Sequence, residues 1–149
     1  MCRPRASAPD CGSVHMTVEL SPCAREQLGR PAAREREAEA LAAALQAAFG
    51  GASDGSSAAV DLSRLCVVRA KHAWELGVHV ALMSCGGGEL VAAAAAVRAA
   101  LSTAAIPRAT QVATEGLNDA AEPDVEIPDG EEMEPLELAE MPIVLTAAL

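Results

Sequence analysis

The sequence predicts an α+β domain in which mixed sheets pack against helices. Three observations carry that expectation. Apolar side chains alternate strictly from Trp74 to Leu82, two alanine-rich segments carry apolar residues at helical spacing, and a glycine run separates the strand from the second of those segments.

In chain order, residues 1–13 are rich in Arg, Pro, Ala and Ser and lack the apolar stretch of a secretory signal, so a disordered start is expected. Val14, Met16, Val18 and Leu20 then alternate as a strand. Ala38 to Phe49 reads as a helix with Leu41, Leu45 and Phe49 on one stripe, closed by Gly50-Gly51. Ala52 to Ala58 is a small polar loop.

Leu62, Leu65, Cys66, Val67 and Val68 form a short apolar run, and Arg69-Ala70-Lys71-His72 separates it from the alternating strand. The expectation is an antiparallel hairpin over residues 60–84 with a four-residue loop. In its second strand Trp74, Leu76, Val78, Val80 and Leu82 face the core, while Glu75, Gly77, His79, Ala81 and Met83 face outward. After the Cys85-Gly86-Gly87-Gly88 turn, Leu90, Ala94, Val97 and Leu101 predict a helix from Glu89 to about Ala104, and Ile106-Pro107 ends it. Such a segment is too short for a bilayer, which takes roughly 20 apolar residues. No membrane partner is expected.

Composition bounds the core. The 149 residues are 51% hydrophobic, enough for one domain, but only 1% aromatic, with Trp74 and Phe49 the sole large rings. Alanine supplies much of the apolar count and has little side chain to bury, so a thin core is expected.

Charge is uneven along the chain. Through Arg108 there are 11 basic and 10 acidic residues; the last 41 residues add 11 acidic and no basic ones. The stretch 115–140, with prolines at 123, 128 and 135, reads as a solvated acidic loop or linker between short strands, with a partner-binding acidic arm as the alternative. An acidic chain repels phosphate, so any RNA contact is expected from isolated arginines.

Cys2, Cys11, Cys23, Cys66 and Cys85 contain no C-x-x-C pair and do not cluster with His15, His72 or His79 at metal-ligand spacing. Free thiols, no metal and no cofactor are expected, with Cys66 and His79 structural. A glycine turn that opens a helix can cradle phosphate on its N–H groups. Here Glu89-Leu90-Val91 follows the glycines, which is neither the dinucleotide fingerprint nor a P-loop.

A family resemblance rests on Val60-Asp61-Leu62, Leu65-Cys66, Trp74, Val78 to Val80, Cys85-Gly86-Gly87, Ala96-Val97-Arg98-Ala99-Ala100-Leu101 and Ile106-Pro107-Arg108. In register and without a gap, these residues resemble the RNase PH-like ring subunits of the RNA exosome, in particular the ribosomal RNA-processing protein 42 type. Weaker echoes lie in Val18-Glu19-Leu20-Ser21-Pro22 with Gly29-Arg30, and in Leu136-Glu137-Leu138 with Met141-Pro142-Ile143-Val144, which resemble a strand and turn and a later strand pair. The resemblance implies an RNase PH-like (ribosomal protein S5 domain 2-like) fold over residues 14–149, incomplete at both ends. The family usually carries Asp at the position of His79, a polar or acidic residue at Val91 and Thr-Arg at Ala104-Ala105; this chain departs from it there.

The resemblance also implies a role. Active relatives hold phosphate with a threonine and an arginine after the turn, where this chain has Glu89 and Leu90. Leucine cannot supply the bidentate, charge-assisted bonds of arginine. Their acidic residues lie in a segment beyond the last strand matched here. The implied function is therefore a noncatalytic, structural subunit of the exosome ring. It would work with other ring and cap subunits on RNA 3′ ends, including ribosomal RNA, in nucleus, nucleolus and cytoplasm. The alternatives are an active phosphate-dependent 3′-5′ exoribonuclease and a nonfunctional fragment of a ring subunit. Arg30, where family members can face the RNA path, and Arg108 are the RNA-binding candidates beside their reading as solvated surface arginines.

Overall fold

A computed structural model describes residues 1–4, 6, 8–50, 59–112, 124–127 and 133–145. Its element order begins with strand β1 (Ser13–Leu20), helix α1 (Pro22–Leu28) and helix α2 (Pro31–Phe49). A 3-10 turn (Leu62–Leu65) follows, then strands β2 (Cys66–Val68), β3 (His72–Ala73) and β4 (Glu75–Leu82), and helix α3 (Glu89–Thr103). Strands β5 (Ala105–Pro107), β6 (Thr110–Val112), β7 (Asp124–Glu126) and β8 (Met133–Pro135) complete the order. Helices and small sheets of both senses make this an α+β chain.

The longest ladder is parallel. β1 and β4 pair over eight residues, from Ser13 opposite Glu75 to Leu20 opposite Leu82. The alternation predicted from the sequence puts Val14, Met16, Leu20, Val80 and Leu82 in the buried core and leaves Thr17, Glu19, Glu75, Gly77, His79 and Ala81 exposed. Parallel strands need a crossover, and α1 and α2 supply it, with α2 packed along β1.

The expected 60–84 hairpin is therefore corrected in part. β2 and β3 do form a short antiparallel hairpin, Cys66 opposite Ala73 and Val68 opposite His72, with Ala70 at φ 59 in its turn. Its second strand stops at Ala73, and the chain resumes as β4 on a different partner. Trp74 sits at the switch, its N–H donating to the Leu65 carbonyl while its own carbonyl accepts from Ser13. Leu62 to Leu65 coil instead of extending because the Asp61 carboxylate caps the turn, accepting from the Ser63 N–H at 3.0 Å and the Ser63 hydroxyl at 2.6 Å.

Two further corrections concern helices. α2 starts at Pro31, seven residues before the expected Ala38, because proline is well suited to the first helical position. The seven-residue α1 was not anticipated; Ser21 caps it by accepting from the Ala24 N–H at 3.2 Å. α3 keeps its expected bounds to within one residue, and Ala105–Pro107 forms β5 where a plain helix stop was expected.

The core lies between the β1–β4 ladder and the helices. Leu45, Phe49, Leu65, Val60 and Val97 are fully enclosed, and α3 contributes Ala93, Ala94, Val97 and Leu101. Trp74, expected as a core ring, is only half-buried. A second small cluster of Leu20, Ala24, Leu41 and Leu82 sits at the other end of the ladder.

Side chains close the outer edge of β1. The Met16 N–H donates to Gln46 Oε1 at 2.8 Å, and Gln46 Nε2 donates to the Val14 carbonyl at 2.9 Å. Arg25 Nε donates to the Leu20 carbonyl at 2.8 Å.

The region expected as an acidic loop contains two short strands among its described residues. β7 pairs antiparallel with β6, and β8 with β5. Leu136 is buried, and Leu138 bridges Val60 as an isolated pair. Residues 141–145 carry no strand, which corrects the expected strand pair there. The loop expected at 52–58 and the parts of the acidic stretch at 115–123 and 128–132 lie outside the described residues. Near the start of the chain, Cys2 pairs with Ala73 through two 2.9 Å backbone bonds, and Ala70 donates to the Pro9 carbonyl. Those contacts lay the segment expected as a disordered start along the hairpin.

Candidate functional site

The glycine turn before α3 is built for an anion. Gly87 (φ 96) and Gly88 (φ 82) adopt left-handed geometry, which turns successive N–H groups toward one point at the helix start. That point is already filled. Glu89 Oε1 accepts from the Gly86 N–H at 2.7 Å and from the Gly87 N–H at 2.8 Å. Bonds from the backbone N–H groups of Gly87, Glu89 and Gly86 hold the Glu89 carboxyl below its usual range, so it stays ionised in place.

The surroundings fit a closed turn. Gln27 on α1 accepts from the Cys85 N–H at 2.5 Å, tying the turn to the first helix. Burial, then the charges of Glu89 and Glu37, push the Cys85 thiol up and keep it protonated. Leu90 packs against both apolar clusters, so the second residue after the glycines is a core contact. Cys66, on β2, is likewise raised chiefly by burial.

The RNA-binding candidates stand on separate elements. Arg30 is exposed at the N-cap of α2, where its carbonyl accepts from Ala33 and Arg34 and its side chain makes no capping bond. Arg108 follows β5, with Nε 3.5 Å from Glu134 Oε1 on β8. His79 is exposed and pairs with Glu19 at 3.4 Å, while His15 pairs with Glu75 at 2.9 Å across the same ladder.

Beside Arg30 lies a groove of about 360 Å³ between β1, α1 and α2. Arg25 and Arg34 line it together with Glu19 and Glu35. The Arg34 Nε is buried there without a hydrogen-bond partner. Sequence reasoning missed both arginines, because a helix expected from Ala38 leaves Arg34 outside it and the groove forms only where β1 and α2 lie side by side.

No group of His, Cys, Asp and Glu among the described residues could hold a metal ion, and no described helix is long and apolar enough to cross a membrane. No protein-family model matches the chain.

Proposed function

We propose that this chain is a divergent, RNase PH-like structural subunit of the exosome ring, of the ribosomal RNA-processing protein 42 type, and that it does not itself cleave RNA. It acts by completing a ring with other subunits and a cap, through which RNA 3′ ends, ribosomal precursors among them, pass to a separate nuclease in nucleus and cytoplasm.

One observation supports the noncatalytic part of this reading above the rest. The Glu89 carboxylate occupies the N–H groups that a phosphate would need, at 2.7 and 2.8 Å. An incoming phosphate would have to displace a tethered carboxylate at a very high local concentration and then bind beside its negative charge. With Leu90 committed to the core, no guanidinium stands there to compensate.

The experiment has two arms. Tagged full chain expressed in cells is expected to copurify with the other ring subunits, and its absence from the ring would overturn the structural role. The purified chain, incubated with RNA and inorganic phosphate, is expected to release no nucleoside diphosphate. Release of nucleoside diphosphates that requires the added phosphate would identify an active phosphorolytic enzyme instead.

A further inference from the structure

Among the described residues the β4 edge of the parallel ladder is open, and that edge is self-complementary. Ser13 N–H donates to the Trp74 carbonyl at 3.2 Å and Ser21 N–H to the Leu82 carbonyl at 2.9 Å. With the observed register, the ladder joins the odd-numbered residues of β1 to the even-numbered residues of β4. The N–H and C=O groups of Glu75, Gly77, His79 and Ala81 therefore point away from β1. Among the described residues no strand pairs with them, whereas on the opposite edge, on β1, Gln46 and Arg25 bond the Met16 N–H and the Val14 and Leu20 carbonyls.

An unprotected strand edge is a template for another strand. From the composition of this one we infer that the occupant is a second copy of the chain, with β4 pairing antiparallel to β4 about a two-fold axis at Val78. In that register Gly77 lies opposite His79 of the second copy, and Glu75 opposite Ala81. These are the hydrogen-bonded pairs. Glu75 then has His79 of the other copy as its diagonal neighbour, an opposite-charge pair when the imidazole is protonated, and no two carboxylates face each other. On the inner face Trp74 meets Leu82, Leu76 meets Val80, and Val78 meets itself. Trp74, Leu76 and Val78 are only half-buried in the single chain and gain cover.

Symmetry and strand number agree with this occupant. A two-fold, isologous contact is the commonest kind among soluble oligomers. The result is a four-stranded sheet in the order β1, β4, β4, β1, where each chain alone holds a two-stranded ladder. The exposed side chains on Glu75 (46%) and His79 (58%) leave the approach open. This inference does not depend on the proposed ring function.

Sedimentation velocity of the full chain over a micromolar range, with circular dichroism to check the fold, tests it. Wild type is expected to form a dimer. Ala81→Glu, at an exposed position, places a carboxylate opposite Glu75 twice per dimer and should weaken association roughly tenfold. Ala81→Lys should strengthen it, and adding Glu75→Lys to Ala81→Glu should reverse the weakening that Ala81→Glu causes alone. Gly77→Pro removes an outward N–H without touching the β1 ladder and should abolish the dimer. A chain that stays monomeric throughout the range, or a dimer indifferent to the charge at position 81, overturns the inference even if the proline variant fails to fold.

Discussion

Gln46 acts toward Met16 as a strand would. Its carboxamide accepts the Met16 N–H at 2.8 Å and returns a donor to the Val14 carbonyl at 2.9 Å, reproducing on one side chain the paired bonds of a ladder. A residue of α2 thereby closes the edge of β1 and fixes the helix against the sheet. Gln46→Leu keeps much of the volume but leaves a partly buried donor and acceptor unmatched. Urea unfolding should show a loss of about 1–3 kcal/mol, and a loss below the error of that measurement would remove the edge-closing role.

Gly50 guards the same contact. A Cβ at this position would collide with the Gln46 carboxamide and come within 2.8 Å of the Gln46 carbonyl. The φ of −81° at Gly50 suits any residue, so the requirement is space and not backbone freedom. Gly50→Ala should destabilise the chain by about 1–3 kcal/mol by displacing the amide. In the Gln46→Ala background the same substitution should lose the part of its cost that comes from the carboxamide and keep the part from the backbone carbonyl, a coupling that a double-mutant cycle reads directly.

Acid should loosen the turns that Glu89 and Asp61 hold. Glu89 is lowered from 4.5 by backbone N–H donors, and Asp61 from 3.8 chiefly by the Ser63 hydroxyl. A lowered carboxyl binds fewer protons folded than unfolded, so its stabilising effect is present above the ordinary value and disappears as pH falls through the folded one. Both groups are largely exposed, and water screens the effect to a modest size. Melting temperature should therefore drop between about pH 5 and pH 3, and Glu89→Gln should flatten part of that drop. Parallel curves for variant and wild type would show that the carboxylate bonds do not stabilise the fold.

In the proposed ring, Arg30→Ala and Arg108→Ala test whether either arginine touches RNA. A contact to phosphate contributes to affinity through released counterions, so its loss should weaken RNA binding and lower the salt slope by about one. Arg108 has Glu134 at 3.5 Å to share its charge with, so its effect should be the smaller of the two. Binding unchanged at every salt concentration would return either residue to the solvated surface.

Local patterns were legible because their causes are local. The stripe of Leu41, Leu45 and Phe49 and that of Leu90, Ala94, Val97 and Leu101 follow from helical periodicity, and the faces of β4 follow from alternation. The α1 helix was not legible in the same way. Its seven residues bury only Ala24 and show no apolar stripe; its signals were the cap at Ser21 and Pro22 at the first helical position.

At the candidate site, the sequence identified the glycine turn and the unsuitable residues after it. It placed Glu89 and Leu90 where active relatives hold phosphate, but did not show that the Glu89 carboxylate folds back onto the N–H groups of Gly86 and Gly87. That depends on a rotamer and on the left-handed glycines. The Arg25 and Arg34 groove was also out of reach, since it needs β1 and α2 to be placed side by side.

By itself, then, the sequence determined the α+β class, the strand of 74–82 with its inner and outer faces, the helix from Glu89 to about Ala104 and the acidic character of the last part of the chain. Tertiary structure decided the partner of that strand. A hairpin turn at 69–72 favours the nearest neighbour in sequence, and the chain honours it for only two residues before Trp74 redirects β4 onto β1. Periodicity specifies which side of a strand is apolar, because that is set residue by residue. Which strand lies beside it is set by burying that side against α2 and α3, a choice made only when distant segments meet.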